Sequence, residues 1–160
     1  MKVVFLDIDG VLNSNAYDRV RDCTKNTNID ETRIPLLQEL VDKTGAVLVL
    51  SSSWRKHWHP DPNLCDESGR AINDSLAKYG LRIYDKTPQI GTQLDRKAEI
   101  DDWLNYCGEN VESFVILDDY AFGWDEYTNR LVKTDRYRGR GLEARHVAQA
   151  VALLNAKDDE

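Results

Sequence analysis

Short runs of consecutive apolar residues, separated by stretches with helical periodicity, leave this chain few possible folds. The runs that read as buried strands cover residues 2–8, 46–50 and 113–117, and shorter strand-like segments cover residues 81–84 and 131–134. Strands that are apolar throughout are typical of parallel sheets covered by helices on both faces. The sequence therefore predicts an α/β protein, built as a three-layer α/β/α sandwich around a mainly parallel sheet.

The helices between these strands are marked by their ends and by their apolar stripes. One helix is predicted to follow the capping residue Asp30 and to end at Gly45, with Pro35 in its first turns, where proline is tolerated. A second is predicted from the capping residue Asp95 through Cys107. Further helices are predicted over residues 71–79, where Gly80 follows, and over residues 142–154.

The length and charge of the chain limit its organisation and partners. A chain of 160 residues fits one domain, predicted over residues 1–156, with an acidic tail at 157–160. The net charge of −7 argues against coating of nucleic acid by bulk electrostatics but leaves a local basic groove possible. No obligate protein partner is evident.

The sequence also carries signals about location. It has no signal-peptide pattern and no apolar run long enough to span a membrane. Cys23, Cys65 and Cys107 lack the spacing of a zinc site and fit reduced thiols. We therefore predict a cytoplasmic protein.

Polar residues end three of the predicted strands. They are Asp7 and Asp9, the serines at 51–53, and Asp118 with Asp119. Ligands of parallel α/β sheets bind beyond the carboxyl ends of the strands, so these clusters are expected to meet at one edge. Asp7 and Asp9 share a face of the strand, and two like charges held so close need a cation, a shared proton or a chemical task.

Oxygen-rich carboxylate clusters of this kind suit Mg²⁺, which binds few carboxylates and keeps waters for a substrate phosphate. One carboxylate beside such an ion is able to act as a nucleophile, and a neighbouring acid as a proton donor and acceptor. Phosphoryl transfer also needs donors for the remaining oxygens. Ser51 and a basic residue at the start of the second helix, Arg96 or Lys97, supply them.

These segments resemble the four motifs of haloacid dehalogenase (HAD) superfamily hydrolases. DIDGVL at residues 7–12 resembles the DxDGx[TV]L first motif, and VLVLS at 47–51 resembles the second. Arg96 or Lys97 stands where the third motif has its basic residue, and ILDD at 116–119 resembles the DD form of the fourth. The resemblance covers nearly the whole chain and implies a Rossmann-like fold.

The resemblance also implies roles for individual residues. Asp7 is expected to attack phosphorus and form an aspartyl-phosphate, and Asp9 to act as general acid and then general base. Mg²⁺ is expected to bind Asp7, the backbone carbonyl of Asp9 and Asp118, with Asp119 as a ligand or support. The residues expected at the phosphate are Ser51, Ser52, Arg55, Arg96, Lys97 and Gly10, of which Gly10 permits a sharp turn.

The third motif leaves two candidates. The inward stripe of that helix, predicted as Ile100, Trp103, Leu104 and Cys107, places Arg96 closer to its centre than Lys97. Both residues remain candidates, because either is able to reach a site at the helix start.

A narrower resemblance concerns the substrate. The runs LSSSWR at 50–55, RxxEIxxWL at 96–104 and TD at 134–135 followed by GL at 141–142 resemble small phosphatase-type domains of multi-enzyme RNA-repair proteins. This implies a phosphorylated nucleotide or nucleic-acid end as substrate. A small-metabolite phosphatase and a non-catalytic module that binds a phosphorylated ligand are the alternatives.

Three further features bear on the surroundings of the site. The segments between Gly10 and Asp30 and between Ser51 and Arg96 are too short for a large cap domain, so an open site is expected. In the run WRKHWH at 54–59, Trp54 is expected in packing, and Trp58 is a candidate for stacking on a base. The segment 136–141, which carries Arg136, Arg138 and Arg140, is either a solvated loop or a basic loop near the site, and Asp125 is a weaker candidate for supporting the site.

Overall fold

The computed structural model describes residues 1–24, 28–91, 94–107 and 110–156; the predicted acidic tail at 157–160 lies outside these ranges. Its strands are β1 (Lys2–Leu6), β2 (Val47–Leu50), β3 (Ile83–Lys86), β4 (Ser113–Asp118) and β5 (Leu131–Lys133). They form one sheet in the order β3-β2-β1-β4-β5, and every neighbouring pair is parallel. The predicted parallel sheet is confirmed.

Five α-helices accompany the sheet in the described ranges: α1 (Asn15–Val20), α2 (Ile34–Thr44), α3 (Glu67–Ala77), α4 (Arg96–Cys107) and α5 (Ala144–Asn155). Two predicted signals are observed, since Gly45 ends α2 with φ of 68° and Asp95 accepts a hydrogen bond from the Ala98 amide at the start of α4. No helix in the described part of the chain is long and apolar enough to cross a membrane.

Helices cover both faces of the sheet because its side chains alternate in direction. Val4 and Leu6 of β1 belong to the core beneath α2, α3 and α5. Val3 and Phe5 belong to a second core with α4, where Trp103 packs edge-on against Phe5 with 5.4 Å between ring centroids. The three-layer α/β/α sandwich predicted from the sequence is therefore confirmed.

Several predicted bounds are wrong for identifiable reasons. The helix predicted at 71–79 begins earlier because Asp66 caps it, accepting a hydrogen bond from the Gly69 amide. The strand predicted at 81–84 occupies Ile83–Lys86, because the Leu81 amide still bonds to the Leu76 carbonyl at the end of α3. Leu142 precedes α5, as its amide donates to the Val11 carbonyl.

The connections at the carboxyl edge of the sheet are short, as expected. The described residues between β1 and α2 form α1 and one 3₁₀ turn, Glu31–Arg33, which Asp30 caps. Those between β2 and β3 form two 3₁₀ turns, Ser53–Lys56 and Pro62–Leu64, and α3. No separate cap domain is present among the described residues.

Candidate active site

The sheet register brings three strand ends together. The Asp7 amide donates to the Leu117 carbonyl of β4 at 3.0 Å, and the Ser51 amide donates to the Leu6 carbonyl of β1 at 2.8 Å. The pairing between β1 and β4 therefore continues one residue beyond β1, and the pairing between β1 and β2 continues one residue beyond β2. Asp7 is held between the ends of β2 and β4, where the sequence predicted a shared polar edge.

Three carboxylates meet at this edge. Asp7, Asp118 and Asp119 each offer one oxygen, and these oxygens lie within 4.8 Å of one another. Burial raises the pKa of Asp7 to about 6, against the opposing charge of Arg96. Burial, together with the charge of Asp7, raises the pKa of Asp118 to about 7. Burial also raises the pKa of Asp119, although the charge of Arg136 opposes it.

This cluster fits a small divalent cation. Its members are hard oxygen donors, and each is disfavoured as an anion by burial or by its neighbours, so a bound cation relieves a real electrostatic cost. Among the described residues the side chain of Asp9 does not belong to the cluster. The only ligand expected from Asp9 is its backbone carbonyl.

The carboxylate of Asp9 is instead held by two neutral donors. Asn13 donates from Nδ2 to Oδ1 of Asp9 at 2.8 Å, and Trp54 donates from Nε1 to Oδ2 at 3.1 Å. Asn13 itself is fixed, because its Oδ1 accepts the Gly10 amide and its Nδ2 also donates to the Asn28 carbonyl. Sequence reasoning treated Trp54 as packing alone and did not single out Asn13.

Gly10 makes the turn after Asp9 possible. It has a φ of 79°, and a Cβ added there would lie 2.7 Å from Cβ of Asp119 and closer still to its carboxyl group. Its carbonyl accepts a hydrogen bond from Oγ1 of Thr134 at 2.6 Å. A side chain at this position would thus push on the carboxylate cluster.

The structure separates the two candidates for the third motif. Nη2 of Arg96 lies 3.8 Å from Oδ1 of Asp7, and Nη1 of Arg96 is buried without a hydrogen-bond partner among the described residues. Lys97 is directed elsewhere, with Nζ at 2.7 Å from Asp101 and 2.9 Å from Glu126, contacts that raise its pKa. Arg96 reaches the cluster, and the expectation for Lys97 is not supported by its position.

Ser51 and Ser52 lie at the end of β2, as expected. Oγ of Ser51 is buried and has no hydrogen-bond partner among the described residues, which leaves a donor free at this edge. A hydrogen bond from Ser52 lowers the pKa of Asp7, and Oγ of Ser52 accepts the Trp54 amide at 3.3 Å. Ser52 therefore contacts Asp7 and also caps the 3₁₀ turn that follows.

Arg55 does not line the cavity next to Asp7, contrary to the expectation that it contacts the phosphate. Its Nη2 donates to Oε1 of Glu99 at 2.6 Å, and its Nη1 donates to the Ser52 carbonyl. Both members of this pair are buried. Arg55 therefore joins the turn that follows Ser52 to α4. Its partner, Glu99, belongs to a motif that the sequence analysis quoted, but no role was predicted for it.

The carboxylates open into a cavity of about 230 Å³. Its lining residues are Asp7, Asp9, Ser53, Leu94, Arg96, Asp118, Asp119, Tyr120, Arg136 and Tyr137. Arg136 thus belongs to the site, whereas Arg138 and Arg140 are exposed. Asp125 is exposed and lies outside this lining.

Trp58, the candidate for stacking on a base, is not placed for that role. The side chain is buried, and its Nε1 donates to Oδ1 of Asn73 in α3 at 2.9 Å. It is part of the core beneath α2, α3 and α5.

Comparison with known proteins agrees with this architecture. A family model described as the HAD domain in Swiss Army Knife RNA repair proteins matches residues 3–147. The match includes all of β2 to β5, β1 except for its first residue, and every residue that lines the cavity. A comparison with curated proteins gives no match.

Proposed function

Because this chain belongs to the family of HAD domains in Swiss Army Knife RNA repair proteins, a phosphatase-type hydrolase family, we propose that it is a Mg²⁺-dependent phosphomonoesterase. Its substrate in this proposal is a phosphorylated nucleotide or nucleic-acid end. The observation that carries the proposal is the cluster of Asp7, Asp118 and Asp119 facing the guanidinium of Arg96. Three carboxylates so close together, two of them buried, repel one another unless a cation binds, which supports a metal-dependent activity.

Asp7, Asp118, Asp119 and the backbone carbonyl of Asp9 would hold Mg²⁺. When bound, the ion supplies positive charge that neutralises the carboxylates and polarises the phosphoryl group. Arg96 and the free hydroxyl of Ser51 stabilise the remaining phosphoryl oxygens through charge and hydrogen bonding.

The chemistry then proceeds in two displacements. A carboxylate oxygen of Asp7 forms a bond to phosphorus while the ester bond breaks, and Asp9 gives its proton to the leaving oxygen. In the second step Asp9 takes a proton from water, the water oxygen attacks phosphorus, and the bond to Asp7 breaks to release phosphate. The hydrogen bonds from Asn13 and Trp54 keep the Asp9 carboxylate in one orientation for both transfers.

The first experiment compares the wild type with Asp7→Asn on p-nitrophenyl phosphate in Mg²⁺. We expect the wild type to release phosphate and to stop when the metal is chelated, and Asp7→Asn to be at least about a thousandfold slower because the nucleophile is lost. Asp42→Asn, an exposed acid on α2, is the matched control and is expected to keep wild-type rates. A wild type as inactive as Asp7→Asn would instead favour the binding module.

A second experiment addresses the substrate. The family description and the short connections around the site both support a polymeric end over a small metabolite. We expect faster phosphate release from a 3′-phosphorylated oligonucleotide than from sugar phosphates. Turnover of sugar phosphates with none on the oligonucleotide would support the small-metabolite alternative. The cytoplasmic location and the lack of an obligate protein partner stay predictions.

A further inference from the structure

A second, larger groove adjoins the cavity at the carboxylates. It has a volume of about 570 Å³ and lies between the start of α4 and the loop after β4. The two spaces share Leu94, Arg96 and Tyr120, so the groove continues directly from the position assigned to the phosphate. Its volume lies within the range of sites that hold small organic groups. A group attached to that phosphate could therefore occupy this groove.

Exposed aromatic rings stand at this groove. Tyr120 is 53% exposed and Phe122 is 73% exposed, and their rings pack edge to face with 5.6 Å between centroids. Leu94, at 63% exposed, adds to the same apolar surface. Contiguous apolar surface beside a catalytic cavity usually marks a surface that a ligand covers.

Hydrogen bonds hold the backbone of Tyr120, one member of the aromatic pair, next to the carboxylates. The Tyr120 amide donates to Oδ1 of Asp118 at 2.8 Å, and the Tyr120 carbonyl accepts Nε1 of the buried Trp124 at 2.8 Å. The backbone of Tyr120 is thus anchored at both sides. A flat group resting on the ring of Tyr120 would therefore lie beside the carboxylate cluster.

The charges of the groove favour a neutral occupant. Its walls include the carboxylates of Asp95, Asp101 and Asp125. Of the two cations in the same walls, Arg96 faces Asp7, and Lys97 is paired with Asp101 and Glu126. A phosphodiester backbone would be repelled there, whereas an uncharged planar ring is not. Nucleobases are neutral and planar, and they stack on aromatic side chains whatever their sequence.

We propose that this groove is the subsite for the base of the nucleotide that carries the scissile phosphate, with Phe122 and Tyr120 as its stacking surface. This inference rests on the proposed function, because the phosphate must be held at Asp7. Phe122 and Tyr120 would then set the preference of the enzyme for nucleotide ends over plain sugar phosphates.

The test uses two 3′-phosphorylated oligonucleotides that differ only in the last residue, which carries adenine in one and is abasic in the other. Dissociation constants are measured by calorimetry with Mg²⁺ in Asp7→Asn protein, so that neither ligand is consumed. We expect the base to tighten binding about tenfold, and Phe122→Ala to reduce that ratio to near one. Phe122→Trp, which keeps a ring, is expected to retain the ratio.

Tyr106→Ala is the matched control, because Tyr106 is also an exposed ring but lies near the other end of α4, outside the groove. It is expected to keep the tenfold ratio. The subsite would be overturned if the two oligonucleotides bound equally well, or if neither bound measurably. It would also be overturned if the tenfold ratio were unchanged in Phe122→Ala. A phosphotyrosine peptide that binds through Phe122, with no effect of the adenine, would overturn it as well.

Failure of the subsite and failure of the proposed function are distinguishable. Phosphate release by wild-type protein, with equal kcat/KM on the adenine and abasic oligonucleotides, leaves the phosphatase proposal standing and rejects the base subsite. A wild type that releases no phosphate from any ester rejects the phosphatase proposal, while the calorimetric ratio still tests the groove.

Discussion

At the scale of single residues, Asp9 is held differently from the other acids at this edge. Asp7, Asp118 and Asp119 crowd one another, whereas both oxygens of Asp9 accept hydrogen bonds from neutral donors. A residue that must pass a proton to a leaving group and later take one from water needs a fixed orientation more than it needs a neighbouring charge. Trp54 donates one of the two hydrogen bonds that fix the orientation of Asp9.

Trp54→Phe isolates this contribution, since it keeps a ring and removes the Nε1 donor to Asp9. Hydrogen bonds to charged groups contribute about 1.5–3 kcal/mol, so we expect kcat to fall by about ten- to a hundredfold with a smaller change in KM. Steady-state kinetics on p-nitrophenyl phosphate measure both.

Trp103→Phe is the matched control for that prediction. Its Nε1 also donates to a carboxylate, Oδ2 of Asp85 at 2.8 Å, but in the core beneath α4. It is expected to lower stability without lowering kcat. A kcat of Trp54→Phe equal to that of the wild type would show that Asp9 does not need this bond.

The sequence identified the residues whose chemistry is visible in a motif and missed those that act through contacts. Asp7 and Asp118 follow from strand ends, whereas spacing left both Arg96 and Lys97 as candidates for the basic residue. Glu99 lies on the buried side of α4. From sequence alone an acid in a helix is expected to face solvent, and its burial is explained only by the contact with Arg55. Trp54 and Trp58 have similar local sequence, and only the tertiary fold decides that one bonds to Asp9 and the other is buried.

At the scale of elements, the turn after β1 and the end of β4 are packed so closely that one of them must lack a side chain. Gly10→Ala would force a Cβ against Asp119 in addition to the strain of a positive φ. We expect it to lower Mg²⁺ affinity as well as stability. Calorimetric titration with Mg²⁺ and urea denaturation measure the two effects.

Gly45→Ala provides the matched control at the end of α2. Gly45 has a φ of 68°, similar to that of Gly10, but nothing lies within 4 Å of an added Cβ. It should cost only the backbone strain, about 1–2 kcal/mol, with Mg²⁺ affinity unchanged. Equal Mg²⁺ affinity in Gly10→Ala and Gly45→Ala would contradict the role given to the contact with Asp119.

The ion pair between Arg55 and Glu99 joins two elements, the turn Ser53–Lys56 and α4. Both side chains are buried, at 10% and 1% exposure, so removing one charge leaves the other uncompensated. We expect Glu99→Gln to lower the free energy of unfolding by about 3 kcal/mol, measured by urea denaturation.

A double variant tests the explanation. Replacing both Arg55 and Glu99 by Met removes the two charges together and keeps long apolar side chains in their place. It is expected to be less destabilised than Glu99→Gln, because no uncompensated charge remains. A double variant that is less stable than Glu99→Gln would show that packing, and not charge, dominates at this contact.

Elements with strong apolar patterns were predictable, and those defined by capping or tertiary contacts were not. The inner strands, α2 and α4 have both periodicity and end signals, and they were found. The helix α1 was missed because it has no buried residue and is marked only by Ser14, which accepts the Tyr17 amide. The bounds of α3 and β3 depended on Asp66 and on the turn at Leu81.

At the scale of the whole molecule, assembling the site lowers the stability of the fold. The sheet positions Asp7 and Asp118 at adjacent strand ends, where burial opposes ionisation of both. The rest of the sandwich, with apolar cores on each face, must offset that cost. A protein built this way should be most sensitive to pH and to metal at the carboxyl edge of the sheet.

This cost predicts how metal and pH act together. The pKa values of about 6 for Asp7 and about 7 for Asp118 exceed the usual 3.8, so the folded chain binds these protons more tightly than the unfolded chain. Their contribution to stability without metal therefore falls as pH rises from about 4 through 7. Mg²⁺ binds the ionised carboxylates, so its stabilisation should be larger at pH 8 than at pH 5.

Thermal denaturation at both pH values, with saturating Mg²⁺ or with a chelator, measures that difference as a shift in Tm. Asp118→Asn removes one buried carboxylate, and it is expected to lose most of the gain from Mg²⁺ at pH 8 while becoming more stable than the wild type without metal. Asp42→Asn, on exposed α2, should behave as the wild type. A Tm gain that is equal at pH 5 and pH 8, or is unchanged in Asp118→Asn, would mean that Mg²⁺ stabilises the protein somewhere other than at the strand ends.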